Sequence, residues 1–233
     1  MEDRSYDIFT EDLFNSATTR ACIFGTVHVQ ATHLLMKKIE NSGIKAYIGK
    51  VNMDRNSPES LCEKNVKQAF YDTEKWIMES QEFKNVKPIL TPRFIPTCSD
   101  ELMEKLSILQ KRYDLPMQSH LSENLGEIQW VKELCPNTSF YGEAYNKYHM
   151  FGNECPTIMA HCIHSGEDEI NMIKKQNVFV AHCPESNTNL SSGIAPIRTY
   201  LDHGIKVGLG SDIAAGSSLS IFKAMTMAIQ CSK

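Results

Sequence analysis

The chain has 233 residues, 42% of them hydrophobic, with a formal net charge of −4 and a pI near 6.1. That is enough apolar material for a sizeable core, in one large domain or two small ones, and the charge gives no electrostatic case for nucleic acid or a membrane surface as partner. No run of about 18 apolar residues occurs and the first dozen residues are acidic, so neither a membrane span nor a secretory or mitochondrial leader is expected. The eight cysteines include no C-x-x-C pair and are expected as reduced thiols in a cytoplasmic protein.

In chain order, the pattern predicts a helix over Tyr6–Ser16, a strand over Ala21–Thr26, a helix over Val29–Ser42 that Gly43 stops, and a strand over Lys45–Val51. One long helix is expected from Pro58 to Phe83, with Leu61, Val66, Ala69, Phe70, Trp76 and Ile77 loosely on one face. Val86–Thr91 reads as a strand, and Ser99 caps a helix running to Tyr113. Pro116–His120 is short and extended, Glu123–Leu134 is helical, and residues 136–156 form a loop with a helical turn. Then follow a strand over Thr157–His161, a helix over Gly166–Gln176 and a strand over Val178–His182. A helix over Pro196–His203, a strand over Lys206–Ser211 and a helix over Leu219–Gln230 complete the chain.

Strands alternating with helices in this way imply parallel strands joined by helical crossovers. The count is seven strands, against eight in a closed (β/α)₈ barrel of about 250 residues. The expected fold class is therefore α/β, a TIM-type (β/α)₈ barrel that is incomplete, with strands 2 to 8 present and strand 1 placed before residue 1. On that numbering His120 ends strand five, His161 strand six, His182 strand seven and Asp212 strand eight. Residues 1–233 read as one partial barrel without a linker.

In a barrel, the carboxyl ends of all strands open onto one face, so these side chains are expected to converge. Two or three imidazoles with one carboxylate are donors suited to Zn²⁺, and less specifically to Fe²⁺. For Asp212 the competing expectation is a helix N-cap. Glu123, three residues after His120, reads either as an acid complementing a helix dipole behind a Ser122 cap or as a proton shuttle. Arg93, in the apolar run ILTPRFIP, is expected to be buried and to need a polar substrate edge, and Phe94 either stacks on a ring or packs. The cytidine-type zinc pattern is excluded, since Cys183-Pro184 is not followed by a second cysteine in register. No G-x-G-x-x-G, P-loop or G-x-S-x-G is present.

Six motifs together resemble the guanine deaminases of the amidohydrolase superfamily over essentially the whole chain. They are GKVNMDRN from Gly49, LTPRFIPTCS from Leu90, QSHLSEN from Gln118, MAHCIH from Met159, AHCPESN from Ala181 and VGLGSDIAAG from Val207. The resemblance implies a (β/α)₈ barrel with a small flanking β-sandwich, and hydrolysis of the purine guanine to xanthine and ammonia. It implies that His120 and Asp212 bind zinc with His161 beside the metal, so that these three form the candidate metal set. It further implies Glu123 as proton shuttle, Asp212 as acceptor of the water's proton, and Arg93 with Phe94 as purine contacts. His182 and Asn187 take supporting roles behind these, and members of the family tend to form homodimers. The family also carries an H-x-H pair that this sequence lacks; His28-Val29-Gln30 is its nearest approach. On this reading the chain is the middle of such an enzyme, with strands two and eight keeping unpaired edges. The alternatives are a deaminase or hydrolase of another purine, a pterin or a triazine, and a catalytically inactive barrel fragment acting as a binding subunit.

Overall fold

The strands pair only in parallel, as their alternation with helices requires. In the computed structural model, which describes residues 2–233, they form three sheets. β1 (Arg20–Phe24), β2 (Lys45–Gly49) and β4 (Val86–Pro88) lie in that order, β3 (Val51–Asn52) pairs with β5 (Thr91–Pro92), and β6 (Met117–Leu121), β7 (Thr157–His161), β8 (Phe179–His182) and β9 (Val207–Leu209) form the third. The α/β class is as the sequence predicts. The chain divides into two units, one running to Arg93 and including Thr97–Pro116, the other made of Phe94–Pro96 and Met117–Lys233.

The first unit carries α1 (Glu2–Phe14), α2 (Val29–Ser42), α3 (Val66–Glu79) and α4 (Asp100–Tyr113). Gly43 stops α2 in the left-handed conformation, φ 79°, donating its N–H to Glu40 O, and the Ser99 side chain caps α4 by accepting from Leu102 N. Met36, Ile39, Ile48, Trp76, Ile77, Ile89, Leu90, Leu102 and Leu106 are completely buried and form its core.

Two expected strands are each broken in two. The Lys50 side chain turns inward between β2 and β3, 1% exposed, with Nζ 2.6 Å from Glu63 Oε1. Glu63 Oε2 accepts from Asn52 Nδ2 at 3.2 Å and from Met53 N at 3.1 Å. Satisfying a buried ammonium in this way keeps Glu63 pointing inward, and this is why the long helix expected from Pro58 to Phe83 does not form. A 3₁₀ turn at Glu59–Leu61 is followed by a non-helical stretch; α3 starts only at Val66, capped by the Asn65 side chain, and a second 3₁₀ turn covers Ser80–Glu82. Of the expected apolar face, Ala69, Trp76 and Ile77 are buried, whereas Leu61 is exposed.

The second unit carries α5 (Leu125–Leu134), α6 (Tyr141–Asn146), α7 (Glu167–Lys175), α8 (Pro184–Asn189), α9 (Ile197–Asp202) and α10 (Ile221–Cys231). Its buried centre includes Met117, Leu121, Tyr145, Phe151, Met159, Val180 and Tyr200. Two features depart from the sequence reading. Helix α5 begins two residues later than expected because Asn124, not Ser122, is its cap, accepting from Glu127 N at 2.9 Å. Helix α8, unpredicted, begins on Pro184, where a missing N–H costs nothing. All eight cysteines are free thiols, and among the described residues no helix is long and apolar enough to cross a membrane.

Candidate active site

Register aligns four strand ends of the second unit. Leu121 pairs with His161, His120 with Ala160, and His182 with Leu209. The ladder continues past the strands through Cys162 N to Leu121 O at 2.9 Å and Gly210 N to His182 O at 2.8 Å. Where the strands stop, non-glycine residues turn left-handed: Ser122 at φ 48°, His161 at 72°, Cys162 at 50° and Asp212 at 45°. Such backbone costs of order 1–3 kcal/mol per residue and persists where surrounding bonds over-determine it. The turns reverse the chain so that side chains from separate tips meet.

At their centre is His161, 1% exposed. Its Nδ1 lies 2.9 Å from Asn187 Oδ1, so in the neutral ring Nδ1 carries the proton and Nε2 presents its lone pair. That nitrogen is 3.8 Å from Glu123 Oε2 and 4.0 Å from Asp212 Oδ2. The His120 ring stacks on it, with centroids 5.3 Å apart and planes 21° from parallel, and Phe94 meets His120 edge-on at 6.3 Å. A lone pair facing two carboxylates is repulsive unless a proton or a cation stands between them.

The carboxylates are held from behind. Ser186, fully buried, donates its hydroxyl to Asp212 Oδ2, and Ser192 Oγ donates to Glu123 Oε1 at 3.3 Å. Ser192 O in turn accepts from His164 Nε2 at 2.7 Å. His182 is 3% exposed; burial and the neighbouring His161 push its pKa down to about 4, so it is neutral at neutral pH. Its Nδ1 and Asn187 Nδ2 are buried and find no hydrogen-bond partner among the described residues.

Three sequence expectations are corrected. Arg93 is exposed, not buried, its N–H donating to Asn52 O at 3.1 Å; the apolar letters around it belong to side chains that turn inward while Arg93 turns out. Glu123 precedes the α5 cap and so is not an acid of its first turn, and the Ser122 hydroxyl goes to Glu169 Oε2 at 2.7 Å rather than to a helix N–H. Asp212 caps no helix, since α10 starts at Ile221.

Whether zinc fits can be tested on distances. An ion 2.0–2.2 Å from two tetrahedral donors holds them about 3.4 Å apart; His161 Nε2 and Asp212 Oδ2 stand at 4.0 Å. Among the described residues no three His, Cys, Asp or Glu side chains are close enough together to hold a metal ion. The donor types suit zinc, but in this arrangement they do not close around an ion.

Sequence reasoning missed the hydroxyl donors. Ser186 lies inside a quoted motif beside Asn187, but nothing in the letters ties it to Asp212, 26 residues on. Glu127 had a usable signal, because Asn124-x-x-Glu127 has the spacing of a capping box.

The Amidohydrolase family model matches residues 4–233. Guanine deaminase of Dictyostelium discoideum is 40% identical over 229 residues, 97% of this chain and 50% of that protein. Guanine deaminase of Escherichia coli is 33% identical over 221 residues, 94% of this chain and 50% of the relative. The chain thus spans about half the length of the curated relatives it matches. Among solved structures, guanine deaminase from C. acetobutylicum with bound guanine superposes with a TM-score of 0.96 at 51% identity, over 99% of this chain and 55% of that one. An adenosine deaminase from Xanthomonas campestris with bound zinc shares the fold, with a TM-score of 0.86 at 18% identity. A match across nearly every residue, on a parallel α/β scaffold whose strand tips meet at His161, identifies the chain as a member of the amidohydrolase family.

Proposed function

We propose that this chain takes part in the hydrolytic deamination of guanine to xanthine and ammonia. The observation that carries the reading is the meeting of Glu123 and Asp212 at His161 Nε2, within 3.8 and 4.0 Å. Carboxylates differently held give two distinct proton sites. Asp212 accepts the proton of the attacking water while the Ser186 hydroxyl keeps its other demands met. Glu123 gives its proton to the purine ring nitrogen, takes over the water's proton from Asp212 and delivers it to the departing amine, and is reprotonated by the hydroxyl on the ring carbon as the carbonyl forms; Ser192 fixes one of its oxygens and leaves the other to move protons. His161, anchored by Asn187, orients the polar groups between the carboxylates. Phe94 and Arg93 are proposed as purine contacts, with Phe94 already edge-on to His120.

The metal we propose is zinc, with His120, His161 and Asp212 as donors from this chain, and with His161 Nε2 and Asp212 Oδ2 needing to draw closer than their present 4.0 Å. Its contribution would be Lewis acidity, which makes water nucleophilic near neutral pH. For the scaffold we propose the TIM-type (β/α)₈ barrel, on the support of the parallel strand order and of the similarity to guanine deaminase structures. The homodimer and the cytoplasmic location belong to the same reading. The test is ammonia release from guanine by the purified chain supplied with zinc, beside Glu123→Gln and Asp212→Asn. Release by wild type that both substitutions abolish supports the assignment, and release that survives both refutes it.

A further inference from the structure

Beside Glu123, the tips of β6 and β7 and the segment after α8 close a ring of hydrogen bonds. His164 N donates to Ser122 O at 3.0 Å, and Ser122 is the residue before Glu123. At its other end His164 has Nε2 2.7 Å from Ser192 O; a carbonyl only accepts, so Nε2 carries the proton. Ser192 Oγ donates to Glu123 Oε1 at 3.3 Å and completes the circuit. The ring leaves Glu123 by its backbone and returns at its carboxylate, with His164 spanning the far side.

Ser192 is the joint on which the ring depends. Its N–H donates to Asn187 O at 2.9 Å, in the last turn of α8, and the Asn187 side chain is the one that holds His161. This bond secures the peptide before Ser192. His164 secures the peptide after it, where Gly193 N reaches Asn187 O only at 3.4 Å. With both flanking peptides held, the Ser192 side chain keeps one direction, toward Glu123. That direction matters because the contact is long: O–H···O bonds centre on about 2.7–2.8 Å, so the 3.3 Å bond to Glu123 is too weak to hold the segment by itself. His164 does not serve the end of α8, since Ser192 lies beyond that helix. Nor does its ring need Ser192 for want of water, because His164 is only half-buried. What the direct bond adds is a fixed place for the Ser192 hydroxyl.

We propose that His164 is a positioning residue that acts through Ser192, holding the Ser192 hydroxyl on Glu123 Oε1 and so keeping Oε2 turned toward His161. This rests on the proton-moving role given to Glu123 above. The experiment compares the purified chain with His164→Ala, Ser192→Ala, the variant carrying both, and His164→Gln, whose amide nitrogen stands near the place of Nε2. Two quantities are followed: the carbon NMR shift of the Glu123 carboxyl, assigned by its loss in Glu123→Gln, and kcat and KM for ammonia release from guanine.

His164→Ala and Ser192→Ala should move the Glu123 signal in the same direction. In each, kcat should fall about tenfold with KM within about twofold, since the carboxylate loses one charge-assisted bond. The variant carrying both should match Ser192→Ala in both quantities, because without the hydroxyl His164 has nothing left to position. A merely structural His164 would instead add its own loss, for a fall of about a hundredfold. His164→Gln should recover most of the kcat lost in His164→Ala. If His164→Ala fails to fold, His164→Asn, whose shorter amide falls short of Ser192 O, takes its place. An unmoved Glu123 signal in the folded His164 variant, or losses that add when both residues are replaced, overturns the inference. A wild-type chain that releases no ammonia from guanine counts against the functional reading alone, because the carboxyl signal still decides whether His164 acts on Glu123 through Ser192.

Discussion

Glu123 and Glu127 lie four residues apart and face opposite demands. In the reaction proposed above the half-buried Glu123 exchanges protons, so Glu123→Gln should lower ammonia release by at least about a hundredfold while the circular dichroism spectrum stays that of wild type. Glu127 is buried, and desolvation, opposed by Tyr141, raises its pKa from the ordinary 4.5 to about 7. The folded state therefore holds this proton more tightly than the unfolded one. The stabilisation is fully present below about pH 4.5 and is lost as pH rises through about 7. His182 works in the reverse sense: with its folded pKa depressed to about 4, it destabilises the fold as pH falls from about 6.5 to 4. Because both groups act between about pH 4.5 and 6.5, the first effect is isolated by chemical denaturation of wild type beside Glu127→Gln, which keeps His182, across pH 4.5–7. Relative to wild type, Glu127→Gln should gain stability with rising pH, by up to about 3 kcal/mol over that window. Equal slopes for the two proteins would show that Glu127 titrates normally.

At the scale of elements, the approach of β2 to β5 is set by Gly49. A Cβ there would fall 1.7 Å from Thr91 Oγ1 and 2.7 Å from Ile89 O. Gly49→Ala is expected to cost about 2–3 kcal/mol, read as a lower urea midpoint at constant m-value. Ser99→Ala removes both the α4 cap and the hydroxyl's bond to the Asp54 carboxylate, and should cost about 1–2 kcal/mol. These two positions also mark what the letters could reveal. Ser99 and Gly43 are local signals, and α2 and α4 have the predicted bounds to within a residue. The split of β2 from β3 depends on Lys50 finding Glu63, and the late start of α3 depends on the same pair, which no periodicity encodes. Site residues divide likewise. His120, His161 and Asp212 lie at strand ends, which the letters make predictable places, whereas Ser186 and Ser192 act through bonds to Asp212 and Glu123 spanning 26 and 69 residues. Helix α8, six residues long, is too short to leave a periodic trace.

For the molecule as a whole, ligand linkage gives a test that needs no turnover. If zinc draws His120, His161 and Asp212 together, it binds the folded chain alone. At a hundredfold excess over its Kd it should stabilise by about 2.7 kcal/mol, seen as a rise in Tm. Asp212→Ala should abolish that rise while leaving the metal-free Tm within a few degrees. A rise of equal size in both proteins would place the ion elsewhere.

Helix α8 presents neighbouring side chains, Ser186 and Asn187, to two different strand tips: Asp212 through one, His161 through the other. Consecutive residues of a helix lie about 100° apart around its axis, so a small roll that tightens one grip loosens the second. The histidine and the aspartate are geared to one shaft. Replacements that shift either should be tolerated only with a matching change at the other, so the pair would drift together or not at all.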